Sequence, residues 1–153
     1  MAEGIWRYAE SGAAMAASVR AIDYVYVTVK ERPGEAYQLL SELAEAGVNL
    51  LAFSAIPIGP GHTQLVLFPN KMERLVQVAE QLGLVLTGPQ RAFLVQGDDR
   101  LGTIAEIQRK LLDRNIHAYA SSGVTDGRGG FGYVLYVKPD DFEGAAHALG
   151  VEG

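Results

Sequence analysis

Two stretches of the sequence place an acid, an arginine and a glycine in the same order, 68 residues apart. The stretches are KERPGEAY and GDDRLGTI, so the repeated residues are Glu31, Arg32 and Gly34, and Asp99, Arg100 and Gly102. Each glycine lies at the start of a predicted helix, whose first N–H groups attract a carboxylate, while the acid accepts a hydrogen bond from an ammonium group. Opposite charges on one small ligand describe an amino acid, so the repeat predicts amino-acid binding.

Residue types that carry out covalent chemistry are absent or poorly placed. The sequence has no cysteine, which excludes disulfides, thiolate catalysis and cysteine-bound zinc. The histidines His62, His117 and His147 form no pair at metal-ligand spacing. Ser121, His117 and Asp126 supply a Ser-His-Asp set by type, but no G-x-S-x-G motif supports it. We therefore predict no catalytic residue, no metal and no cofactor.

Two glycine-rich motifs suggest other functions. The segment GRGGFG at residues 127–132 fits G-x-G-x-x-G, but it precedes a predicted strand rather than a helix, so it indicates a hairpin and not a dinucleotide site. The segment GFGYVLY at residues 130–136 resembles the strand of RNA-recognition domains on which aromatic rings stack bases, here Phe131 and Tyr133. The net charge of −5 argues against nucleic acid as a partner. RNA binding is kept as an alternative.

Acylphosphatase-like chemistry is a further possibility for a βαββαβ chain. It needs an arginine in a glycine-rich phosphate loop and an asparagine on the second strand, and Arg32 and Asn49 supply both residue types in the first copy. The second copy offers only Arg100 with His117, and acids in both loops would repel phosphate. The residues therefore favour a non-enzymatic protein.

The predicted elements around the first repeated turn, which contains Glu31, Arg32 and Gly34, follow the order βαββαβ. Alternating apolar and polar residues predict a strand at 22–29, Pro33 predicts the start of a helix, and Gly47 and Gly83 predict helix ends. The remaining predicted elements of this copy are strands 48–58 and 63–68, helix 71–82 and a short closing strand 84–87.

The second copy repeats the pattern without a closing strand. Its predicted elements are strand 92–96, helix 102–114, strands 116–125 and 131–137, and helix 140–149. The first strand of this copy would therefore expose an unpaired edge. Candidates to cover it are residues 5–8, the connection 84–96 or a second chain, and we favour the N-terminal segment or a partner. The predicted organisation is an N-terminal extension at 1–21, one domain at 22–89 and a second at 90–153.

Composition places the chain among soluble globular proteins. Hydrophobic residues make up 48% and charged residues 20%. No stretch reaches the roughly 18 uncharged apolar residues that a membrane span needs, and charges interrupt the first 20 residues, so they do not read as a signal peptide. We expect a cytoplasmic protein with no membrane partner.

The repeated segments KERPGEAYQLLSELAEAGVNL and GDDRLGTIAEIQRKLLDRNIHA resemble the opening of ACT domains, the small-molecule-sensing modules attached to many enzymes and regulators of amino-acid metabolism. The resemblance spans residues 22–88 and 91–150. It implies an α+β fold of two ferredoxin-like βαββαβ units in tandem, with antiparallel sheets and helices on one face. In this family, ligands often bind where the turn meets the start of the second strand of a neighbouring unit. The implied ligand-binding residues are Glu31, Arg32, Gly34, Asn49, Asp99, Arg100, Gly102 and His117.

The resemblance also implies a function without catalysis. An amino acid or similar small ligand would change the arrangement at an interface between ACT units, in a homodimer that acts on a metabolic enzyme or regulator. Two departures from the family pattern imply that one site is altered or empty: Glu31 is longer than the usual Asp or Asn, and His117 replaces Asn. A ligand-free dimerisation adaptor, in which the turns only cap helices, is the other alternative.

Overall fold

A computed structural model describes residues 17–151 of the chain, which divide into two compact units. The first unit is Asp23–Gln90, and the second combines residues 17–22 with residues 91–151. The elements in chain order are β1 (Ala17–Lys30), α1 (Glu35–Glu45), β2 (Leu50–Pro57), β3 (His62–Pro69), α2 (Met72–Gln81), β4 (Leu86–Asp98), α3 (Thr103–Leu112), β5 (Ala118–Thr125), β6 (Gly130–Val137), a 3-10 turn (Pro139–Asp141) and α4 (Phe142–Leu149). None of the helices within residues 17–151 is long and apolar enough to cross a membrane.

The first unit forms an antiparallel sheet in the order β2-β3-β1-β4, to which β1 and β4 contribute their residues 23–30 and 86–90. Strand β1 pairs with β3 so that Val25 lies opposite Leu67 and Lys30 opposite His62. Alternate residues of these strands face the apolar stripes of both helices, which bury Leu39 and Leu75 in a common core. The alternation in the sequence is therefore the cause of a sheet with helices on one face.

The second unit contains β4, β6 and β5 side by side, with residues 17–22 of β1 along the other edge of β4. The hydroxyl of Ser18 donates to the carbonyl oxygen of Gln96 at 3.3 Å, and Ala17 and Val19 pack against the core of this unit. Residues 17–22 thus take the place that the fourth strand occupies in the first unit. This strand covers the edge that the sequence left open, and it comes from the N-terminal side of the chain.

Several predicted element boundaries were wrong. Helix α1 begins at Glu35 and not at Pro33, because Gly34 precedes it with a left-handed φ of 91° that a helix does not allow. The predicted closing strand 84–87 and the predicted strand 92–96 are parts of one strand, β4, so the connection proposed between them does not exist as a loop. The candidate cover at residues 5–8 lies outside the described residues. The predicted α+β class with antiparallel sheets is confirmed.

Candidate functional site

Both repeated turns are tied to the hairpin of their own unit by one backbone hydrogen bond. The N–H of Glu31 donates to the carbonyl oxygen of Gly61 at 2.8 Å, and the N–H of Asp99 donates to that of Gly129 at 2.7 Å. The two acceptor glycines have positive φ angles and are themselves 68 residues apart. The repeated pattern therefore includes the hairpins, a feature that the equal spacing of these glycines could have revealed from the sequence.

Gly34 and Gly102 are the N-cap residues of α1 and α3, and both have a φ of 91°. A Cβ atom built on either glycine would meet nothing within 4 Å, so the backbone conformation, and not crowding, requires glycine here. Neither helix has a side-chain hydrogen bond at its N-cap. The first N–H groups, those of Glu35 and Thr103, donate at 3.3 Å to the backbone carbonyl oxygens of Arg32 and Arg100, and each helix start carries a partial positive charge.

A cleft of about 240 Å³ lies beside the second turn. Its polar end is formed by Asp99 and Arg100, and its walls include Ile104 of α3, Gly123 of β5 and Phe131 of β6. An acid and an arginine at one end of a mainly apolar cleft provide oppositely charged groups for a small zwitterion. The structure therefore brings the predicted residues Asp99 and Arg100 into one cavity.

Gly123 makes room for this cleft and was missed from the sequence. Gly123 pairs with Tyr133 across β5 and β6, and a Cβ on it would lie 3.2 Å from both the Tyr133 ring and the carbonyl oxygen of Gly132. Tyr133 is 4% exposed, and its hydroxyl accepts a hydrogen bond of 2.7 Å from the amide nitrogen of Gln108. A glycine inside a predicted strand is the signal of such a close approach.

The two turns differ in how their arginines are paired. The Nε of Arg32 donates to the carboxylate of Glu35 at 2.9 Å, within the same turn. The position that matches Glu35 is Thr103, which is 3% exposed and lies on the core-facing side of α3. The guanidinium of Arg100 instead lies 3.7 Å from the carboxylate of Asp98, at the protein surface. The first turn therefore contains its own carboxylate, and the second contains none at that position.

Asn49 and His117 lie far from the turns of their own units. Asn49 precedes β2, where its backbone N–H donates to the side-chain oxygen of Asn70 at 2.9 Å. That position is at the opposite end of β3 from Glu31, a separation of roughly 24 Å for a strand of this length. His117 precedes β5 in the same way, beside the Val137 end of β6. Neither unit alone combines its turn with these two predicted ligand residues.

The hairpin beside the second turn contains an acid, Asp126, whose pKa is lowered. Backbone N–H groups of Arg128 and Gly130 donate to the Asp126 carboxylate at 2.6 and 3.0 Å. These bonds stabilise the charged form and hold the pKa of Asp126 below its ordinary value. The negative charge of Asp126 therefore keeps the hairpin in the conformation from which Gly129 binds the Asp99 backbone.

The face that RNA would need is buried. Phe131 and Tyr133 share one face of β6, as predicted, but that face is covered by the helices of the second unit. Tyr133 belongs to the core and cannot stack on a base without unfolding of this unit. Within residues 17–151, no three histidine, cysteine or acidic side chains are grouped as metal ligands would be.

No protein-family model and no curated protein matches the sequence. Solved structures do match. A protein from Bacteroides thetaiotaomicron superposes with a TM-score of 0.75 at 9% identity, over 86% of this chain and 88% of that one. The ligand-free regulatory subunit of aspartate kinase from Thermus thermophilus superposes with a TM-score of 0.62 at 12% identity, over 88% of this chain and 94% of that one.

The whole aspartate kinase of Clostridium acetobutylicum also matches, with a TM-score of 0.56 at 17% identity. The match covers 90% of this chain but 34% of that enzyme, which is described as allosteric. At these identities the likeness is one of fold. The fold of the chain is thus similar to that of the ligand-free regulatory subunit of aspartate kinase.

Proposed function

We propose that this protein is a non-catalytic regulatory protein that binds a free amino acid at the second turn. The observation that carries the proposal is the cleft of about 240 Å³ with Asp99 and Arg100 at its polar end. Its volume lies below the range of roughly 300–1,000 Å³ for drug-sized ligands and suits a smaller metabolite. The likeness of fold to an aspartate kinase regulatory subunit is in keeping with this function.

Each charged group of the ligand has a matching group at the turn. The Asp99 carboxylate accepts from the ammonium group, and the Arg100 guanidinium, which now lies near Asp98, turns to the ligand carboxylate. The N–H groups that follow Gly102 add the partial positive charge of the α3 start. A neutral or singly charged molecule would leave one of these groups unsatisfied, so the site favours a zwitterion.

Regulation requires that the ligand favour one arrangement of the protein over another. We propose two ACT units in tandem and a homodimer that pairs through edge strands. Strands β2 and β5 each stand last in the strand order of their unit, so each has one side without a neighbouring strand from residues 17–151. Pairing there is the route by which Asn49 or His117 of one chain would reach a turn of another. The regulated partner would be an enzyme or regulator of amino-acid metabolism.

A thermal-shift screen of the full chain against the twenty amino acids tests the proposal. A ligand at 100 times its dissociation constant stabilises the folded state by about 2.7 kcal/mol, which raises Tm by several degrees. Arg100→Gln is expected to remove the shift, whereas Arg32→Gln, at the matching position of the first turn, is the control and is expected to keep it. If no amino acid raises Tm, the proposal is wrong and the ligand-free adaptor is favoured.

A further inference from the structure

We infer that the cleft at the second turn selects an amino acid with an apolar side chain, and that one such ligand binds per chain. The inference rests on the proposed function and adds the class of ligand and the stoichiometry to it. It follows from the walls of the cleft and from a comparison of the two units at matching positions.

The part of the cleft beyond its charged end is mainly apolar: Ile104, Val124 and Phe131 line it, together with Gly123 and the hydroxyl-bearing Thr125. Ile104 is 44% exposed at the protein surface, although it is a large hydrophobic residue, and Phe131 is partly buried against the core. Burying these surfaces against a hydrocarbon side chain is favourable in proportion to the apolar area removed from water. A ligand bound by Asp99 and Arg100 would lay its side chain against this wall.

The charged residues that line the cleft are confined to its polar end. Asp99 and Arg100 are the charged residues that line the cleft within residues 17–151. A second charge on the ligand side chain would therefore be desolvated without an opposite charge beside it, which is costly. Acidic and basic amino acids are consequently disfavoured in comparison with leucine, isoleucine, valine, methionine or phenylalanine.

The first unit differs at the two positions that open the site. Ala55 pairs with Leu65 there as Gly123 pairs with Tyr133, so a methyl group stands where the second unit has none. Glu35 places its carboxylate on Arg32, in the position that a ligand carboxylate would need. The matching residue of the second turn is Thr103, which has no carboxylate. A ligand at the first turn would have to displace the Glu35 carboxylate from Arg32 and fit beside the Ala55 methyl group, so the expected stoichiometry is one ligand per chain.

Isothermal titration of the full chain with valine, threonine and leucine tests the inference. Valine and threonine have nearly the same shape and differ in a hydroxyl group. The ratio of their affinities therefore shows whether the wall of the cleft is apolar or polar. Valine is expected to bind about 10- to 100-fold more tightly than threonine, because a hydrophobic pocket rejects an added hydroxyl to about this extent. Leucine is expected to titrate with one site per chain.

The matched variants are Ile104→Gln and Leu112→Gln, two exposed apolar residues of the same helix. Leu112 is 70% exposed and does not line the cleft, so its variant is expected to bind leucine as the parent does. Ile104→Gln is expected to weaken leucine binding at least 10-fold without loss of folding. Threonine binding as tight as valine binding, or two sites per chain, would overturn the inference but not the proposed function. Failure of all twenty amino acids would overturn both.

Discussion

The carboxylate of Glu35 accepts a hydrogen bond from the Nε of Arg32 at 2.9 Å, and this contact distinguishes the first turn from the second. Arg32 belongs to the repeated pattern, but only the first copy has an acid three residues after its arginine. The pair stabilises the turn locally and neutralises the cation. The arginine of the first turn is thus held in a local ion pair, while the arginine of the second turn lies at the end of a cleft.

The Glu35→Thr substitution, which copies the second turn into the first, is expected to have little effect on stability. Exposed ion pairs contribute about 0–1 kcal/mol, so the free energy of unfolding should fall by no more than about 1 kcal/mol. Ligand affinity should not change, because the cleft lies in the other unit. Urea denaturation and calorimetric titration measure the two quantities. A large loss of affinity would show that the first turn takes part in binding.

The Gly102→Ala and Gly34→Ala substitutions form a matched pair. Both glycines have a φ of 91°, so each alanine is expected to cost about 1–2 kcal/mol of unfolding free energy. Only Gly102→Ala should also weaken amino-acid binding, since it displaces the N–H groups beside the cleft. Equal stability losses with equal affinities would contradict the placement of the ligand at the second turn.

The Gly123→Ala substitution is expected to narrow the cleft. Its Cβ would lie 3.2 Å from the Tyr133 ring and from the Gly132 carbonyl oxygen, so a neighbouring group must shift by a few tenths of an ångström. Leucine and phenylalanine should lose more affinity than alanine, because they fill more of the space. Titration with these three amino acids gives the ratio, and Ala55→Gly in the first unit is the control that should leave it unchanged. An equal loss for all three would indicate general destabilisation.

The Asp126 carboxyl is expected to titrate below the ordinary aspartate value of 3.8, since the N–H groups of Arg128 and Gly130 stabilise its charged form. A lowered pKa in the folded state contributes stability that is fully present above about pH 4 and is lost as the pH falls through the lowered value. NMR titration of the carboxyl carbon in the folded protein and in urea gives both values. A folded-state pKa at or above the urea value would contradict the hydrogen bonds of this hairpin.

The sequence predicted the local parts of this structure well. Hydrophobic periodicity located the helices and most strands, because an element buried on one side repeats with its own period. The turns at Gly34 and Gly102 were visible because their residue types are dictated by local backbone geometry. The α+β class followed from the order of these elements.

The long-range parts were not visible. Strand β4 was predicted as two strands because Gly88 and Pro89 interrupt the apolar pattern between residues 87 and 92, whereas pairing with β1 keeps the segment extended. The edge position of residues 17–22 depends on a strand that follows about 70 residues later, and no local pattern records such pairing. The cleft also depends on Gly123. Its role could not be predicted, because it depends on how close the Tyr133 ring lies in the folded protein.

The order in which the second unit acquires its strands has a consequence for its synthesis. Residues 17–22 leave the ribosome well before residues 91–98, beside which they finally lie. At 5–20 residues per second, this early segment waits for roughly 4 to 14 seconds without its neighbour. Asp23–Gln90 is synthesised during that interval, so the first unit has its whole sequence when the interval ends, whereas the second unit still lacks residues 91–151. In the nascent chain, residues 17–22 therefore lack their neighbouring strand while the first unit is complete. Chaperones that shield extended segments would act on these residues.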